Sequence, residues 1–150
     1  MVATTSQAYV DLHNVIEAAW FGNTDTADIP IYYWDDEKDL PKYEDNTPGA
    51  DTEYIHIMFS EVAGGQATLQ NNVGSRRDRL TGLLTINIYT IPGDFQRRSS
   101  LYTDVLLAGL RRPSVPHCLE FLNMRPNPLG RQGNRFVTQV LCTVRYDTLS

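Results

Sequence analysis

The sequence predicts an α+β fold: a mostly antiparallel sheet with two helices on one face, in the order α-β-β-β-α-β-β. Three observations carry it. Two segments place apolar residues at three- and four-residue spacing, the period of a helix with one buried face. Five others are short apolar or alternating runs bounded by glycine, proline and polar clusters, as strands are. No internal repeat divides the chain, and 150 residues suit one domain, 1–150. A domain this size buries roughly 70% of its unfolded surface, so it needs no metal or disulfide staple.

Thr5 or Ser6 caps the first helix, which runs to about Ala19. Tyr9, Leu12, Ile16 and Ala19 share its apolar face, and Trp20 and Phe21 finish the stripe before Gly22 and Asn23 stop it. Ile29 to Trp34 predicts a short strand that Pro30 assigns to a sheet edge or a strand start. The stretch 35–53 then holds eight acids against Lys38 and Lys42, too polar for core, and is expected to be a long solvated loop. Asp45, Thr47 and Gly49 do not reproduce the ligand spacing of a calcium-binding EF-hand loop.

Tyr54 to Ser60 alternates Ile55, Ile57 and Phe59 with Tyr54, His56 and Met58, the pattern of a half-buried strand. Residues 63–79 are polar and glycine-bearing, and predict a hairpin that is mobile in the free subunit and ordered on assembly. Leu80 to Ile91 is the next strand, with Leu84, Ile86 and Ile88 on one face. Pro92, Gly93 and Asp94 close it and cap a second helix, about Phe95 to Arg112. Its expected buried stripe is Leu101, Val105 and Ala108, flanked by Tyr102, Leu106 and Leu110, with Arg111 and Arg112 suiting the helix dipole. Cys118 to Met124 predicts a fourth strand, and Arg125 to Asn134, with two prolines and two glycines, a turn. The last strand, Phe136 to Tyr146, sets Phe136, Val140, Cys142, Val144 and Tyr146 on one face. Two helices on one sheet face leave the second face, or the strand edges, for a partner.

Composition is ordinary for a globular protein, with 41% hydrophobic and 21% charged residues. No apolar run is long enough to span a bilayer, and Met1 to Gln7 lacks the basic start and apolar stretch of a signal peptide. Synthesis in the cytosol without a membrane partner is the expectation.

The net charge of −5 hides a division. Residues 1–75 carry thirteen acids and two lysines, for −11, whereas residues 76–150 carry eleven arginines and five acids, for +6. If the halves form separate surfaces, one copy's basic face complements another's acidic face, which favours head-to-tail contact and a ring where the rotation closes. If they intermix in the fold, they cancel locally. Arg76, Arg77 and Arg79 are the densest basic cluster, and Asp35, Asp36 and Glu37 are carboxylates that could receive them across an interface. A phosphate backbone would also suit that cluster, but 74–79 carries no stacking aromatic and the chain is acidic as a whole.

No nucleophile elbow, P-loop, HExxH or dinucleotide fingerprint occurs. His13, His56 and His117 share no motif, and Cys118 and Cys142 lie in apolar runs where reduced, buried thiols are expected. The sequence therefore predicts no enzyme, no cofactor and no metal.

Taken together, the pattern resembles the tail terminator, or tail-completion, proteins of long-tailed bacteriophages. The matching features begin with the helix ending Ala18-Ala19-Trp20-Phe21 and the strands Ile29 to Trp34 and Tyr54 to Phe59. They continue through the Gln66-Ala67-Thr68-Leu69 turn, the Arg79 to Tyr89 strand, the second helix, and the ending from Phe136 to Asp147. The resemblance covers nearly the whole chain as a pattern of elements. It implies a homohexameric ring that caps the tail tube and joins it to the neck or stopper protein, with DNA only passing through its lumen. It further implies a place in the virion at the tail–neck junction, after assembly in the host cytoplasm, and no catalytic residues. Another neck or tail tube subunit, or a small non-catalytic binding protein, is the alternative.

Overall fold

A computed structural model describes residues 5–34, 53–66, 77–93, 96–111, 119–133 and 135–149. The elements are α1 (Thr5–Phe21), β1 (Ile31–Tyr33), β2 (Tyr54–Gln66), β3 (Arg77–Thr90), α2 (Arg97–Arg111), β4 (Leu119–Gln132) and β5 (Arg135–Leu149). The five strands form one sheet in the order β1-β2-β3-β5-β4, antiparallel except where β1 joins β2 in parallel. This is the expected α+β architecture in the expected element order.

The core lies between the helices and one sheet face. Ile55 and Ile57 of β2 stand opposite Ile88 and Ile86 of β3, and Leu84 stands opposite Cys142 of β5. Val140, Val144 and Tyr146 continue that face, and Leu12, Val15, Ile16 and Trp20 of α1 pack over it with Tyr102, Leu106, Leu107 and Leu110 of α2. Period-two alternation in the strands and the three–four spacing in the helices are thus satisfied by one shared apolar layer. Gly109 of α2 allows the two helices to touch: a Cβ there would come within 2.9 Å of the Ala19 Cα.

Both helical faces are rotated from the expected ones. On α2, Leu101 is 41% exposed, Ala108 is exposed and Val105 is half-buried, while Ser99, Tyr102, Thr103, Leu106, Leu107 and Leu110 are buried. The competing apolar stripes sit one residue apart, about 100° around the helix, so spacing alone does not choose between them. Ser99 and Thr103 can be buried because their hydroxyls donate within the chain, to the Gln96 carbonyl at 3.0 Å and the Ser99 carbonyl at 2.7 Å. On α1, Val15 replaces Tyr9 in the buried face, and Tyr9 stays half-exposed with its ring edge-on to Phe59 at 5.4 Å.

The expected turn from Arg125 to Asn134 is instead strand. β4 continues to Gln132, with Pro126 opposite Val140 and Pro128 opposite Thr138. β4 is a sheet edge and both prolines fall on the same strand parity, the arrangement in which an edge strand accommodates proline. Register shifts at Leu122/Arg125 and Pro128/Gly130 bend the strand, the first around Asn123 at φ 55°. Pro30 behaves as expected, since β1 begins at Ile31 and lies at the other edge. The β2–β3 ladder extends to Gln66 opposite Asp78, so strand pairing takes in both ends of the 63–79 segment. Residues 67–76 and the acidic stretch 35–52 lie outside the described residues.

Candidate functional site

The sheet order sets strands from the two halves of the sequence at opposite edges. β1 and β2, from the acidic half, form one margin, and β5 and β4, from the basic half, form the other. No lysine or arginine precedes Lys38, and Asp25 and Asp28 lie in the turn that leads into β1. Glu17 reaches it directly, accepting a hydrogen bond from the Tyr33 hydroxyl at 3.2 Å. Conversely, no acid occurs from Phe121 to Tyr146, which hold Arg125, Arg131, Arg135 and Arg145. Arg145 is paired with Glu120, and Arg135 is fully buried with its guanidinium 5.2 Å from the Tyr54 ring centre. Arg125 and Arg131 remain exposed on the β4 edge. Among the described residues no strand pairs with the outer side of either β1 or β4.

Beside β1 lies an apolar cleft of about 390 Å³ between α1 and the sheet, with Leu12, Ile16, Ile57 and Leu84 at its base. Tyr9 and Phe59 stand at one side and Tyr33 and Trp34 at the other. Trp34 is 67% exposed, the most exposed large apolar residue among those described. The His13 ring stacks on Tyr33 at 5.0 Å, and its Nε2 lies 3.1 Å from Glu17, so one triad ties α1 to the edge strand. Burial, reinforced by the Glu17 carboxylate, pushes the Tyr33 phenol well above its ordinary range and keeps it a neutral donor.

The helix-free sheet face is polar across its middle. His56, Asn87, Gln139 and Asn127 are register neighbours there, and the Gln139 amide donates to Asn87 at 3.3 Å. Burial lowers the His56 pKa, favouring the neutral imidazole. At one end of this face Tyr54 stacks on Tyr89 at 4.4 Å, with Tyr32 edge-on to Tyr54 and Val137 completing a second buried cluster.

Of the expected interface residues, Asp35, Asp36, Glu37 and Arg76 lie outside the described residues. Arg77 and Arg79 are the first and third residues of β3, opposite Leu149 and Asp147 in the ladder. Cys142 is buried and unpaired, its thiol pushed up to about 11 chiefly by burial, while Cys118 and His117 lie outside the described residues. No group of three or more His, Cys, Asp or Glu side chains is placed to hold a metal among the described residues. Sequence reasoning missed the cleft because it assigned Tyr9 to the core. The available signal was the density of aromatics at the end of the first strand, Tyr32-Tyr33-Trp34, more than a three-residue strand needs for packing.

No family model and no curated protein matches this sequence. Among solved structures, one that carries no functional name is similar over 95% of both chains, at 13% identity and a TM-score of 0.60, which supports the fold. The sheath/tube terminator of an extracellular contractile injection system aligns at 12% identity and a TM-score of 0.48. That alignment takes in all of this chain, which spans 58% of the terminator's length.

Proposed function

We propose that this chain is a non-catalytic structural subunit that associates head to tail into a closed homohexameric ring, and that the ring is a tail terminator. In this reading the ring caps the tail tube, joins it to the neck or stopper protein at the tail–neck junction of the virion, and passes DNA only through its lumen. One observation carries the reading: Glu17 on α1 and Asp25 and Asp28 in the turn before β1 flank one edge of the sheet, whereas exposed Arg125 and Arg131 lie on β4 at the other. Such edges repel their own kind and attract each other, which favours a heterologous contact over a two-fold one. A heterologous contact closes into a ring or runs on as a filament. The pattern of elements shared with tail terminators favours the closed form.

Arg76, Arg77 and Arg79 of one copy are proposed to face Asp35, Asp36 and Glu37 of the next. Each exposed pair contributes at most about 1 kcal/mol, so these contacts steer and order subunits while apolar burial supplies most of the affinity. The test is to add the purified chain to the tail tube protein of the same virion during tube polymerisation. Tubes should stop growing and carry one ring at an end. A chain that leaves tube growth unchanged, or that itself polymerises into tubes, contradicts the terminator role.

A further inference from the structure

We infer that the cleft between α1 and β1 is the socket for a second copy of this chain, filled by the Pro128-Leu129-Gly130 segment of that copy's β4. The inference rests on the head-to-tail reading above and names the contact that would make it.

Three observations converge. First, the cleft is apolar at its base, has about 390 Å³ of space and is bordered by the exposed indole of Trp34. Exposed apolar surface of this kind, rimmed by polar groups, is what association sites leave behind in the free subunit. Second, Leu129 is 43% exposed on the opposite sheet edge, where the β4 register shift and the positive φ of Gly130 (89°) set the local backbone. Pro126 and Pro128, just before Leu129, carry no N–H donors, which disfavours extension of this edge by another strand. An inserted side chain is compatible with those prolines where a continued ladder is not.

Third, the charges match. Glu17 lies at the cleft, with Asp25 and Asp28 in the turn that feeds β1, and no lysine or arginine occurs before Lys38. Exposed Arg125 and Arg131 bracket Leu129, and no acid occurs between Phe121 and Tyr146. Apolar insertion would supply affinity and the rim charges the orientation. Cleft and leucine occupy opposite edges of one sheet, so a copy cannot satisfy its own socket. A protrusion and a pocket placed apart on one molecule generate a heterologous contact.

The test uses the full chain and reads assembly by native mass spectrometry and by crosslinking. Leu129→Asp should weaken association on the order of 100-fold or more while leaving circular dichroism and melting unchanged, because the residue is exposed in the free subunit. Separate preparations of Trp34→Cys and Leu129→Cys should form a disulfide-linked dimer when mixed under mild oxidation, and neither should do so alone. A wild type that forms rings, with a Leu129→Asp variant that forms them equally and no mixed disulfide, overturns the socket and leaves the ring intact. A wild type that never associates overturns the head-to-tail reading, and the socket with it.

Discussion

Truncating Leu106 and Leu101 of α2 separates the observed helical face from the one that the sequence favours. Leu106 is fully buried between the sheet and α1, whereas Leu101 is 41% exposed. Leu106→Ala removes buried methyl groups and leaves a cavity that its neighbours fill only partly. Such a change costs about 3 kcal/mol, within the range for core leucines. For a chain of this length that lowers the melting temperature by roughly 6–12 °C. Leu101→Ala removes surface that already meets solvent, and should stay within about 0.5 kcal/mol, a shift of a degree or two. Calorimetry on the two purified variants is sufficient. Equal losses, or a larger loss at Leu101, would mean that α2 is rotated by one residue and that the core described above is wrong.

Gly109→Ala should destabilise despite the roughly 1 kcal/mol that alanine gains in helix propensity. Its Cβ would meet the Ala19 backbone, which cannot move aside cheaply, and denaturant midpoints should fall by the equivalent of about 1–3 kcal/mol. Glu53→Ala should cost about 1–3 kcal/mol in the same assay, because Glu53 accepts from the Ile91 N–H at 3.2 Å and the Tyr102 hydroxyl at 2.8 Å. Glu53→Gln, which keeps one acceptor, should lose less. The Cys142 thiol should resist alkylation at pH 8 in the native protein and react on unfolding, as peptide mapping would show, since burial raises it to about 11. Its contribution to stability is complete below its ordinary value and is lost as pH rises through the folded one. His56 works in the opposite sense: its lowered pKa gives stability that is present above about 6.5 and lost as pH falls through the folded value. His56→Gln should therefore flatten the acid side of a stability profile. Reversing Arg76, Arg77 and Arg79 to Glu should hinder assembly and leave the monomer folded, with high salt giving a weaker form of the same defect. Normal assembly of that variant at low salt would remove these arginines from the interface.

The strand faces were legible in the sequence because their residues alternate cleanly. Ile55/Ile57, Leu84/Ile86/Ile88 and Val140/Cys142/Val144 each bury the parity that their spacing predicts. Helical faces were less legible. On α2 two apolar stripes compete, and the outcome depends on whether Ser99 and Thr103 can satisfy their hydroxyls locally, which a hydrophobic pattern does not record. Residues 125–132 form strand rather than turn because alternate N–H groups of an edge strand face away from its neighbour, where proline costs the ladder nothing. The charge division was visible as a sum, whereas only the strand order places β1, from the acidic half, and β4, from the basic half, at opposite edges of the sheet. The cleft beside β1 depends on the long-range approach of α1 to a three-residue strand, through Tyr33, Glu17 and His13. Nothing local to any of those residues announces it.

The central claim is that one sheet with oppositely charged edges closes head to tail. Native mass spectrometry of the wild-type chain across a salt series tests it most directly. The account predicts a dominant species of six 17.0 kDa subunits at low ionic strength, giving way to single chains as salt rises. A single 17.0 kDa species at every concentration and ionic strength, or a symmetric dimer that salt leaves unchanged, would contradict it.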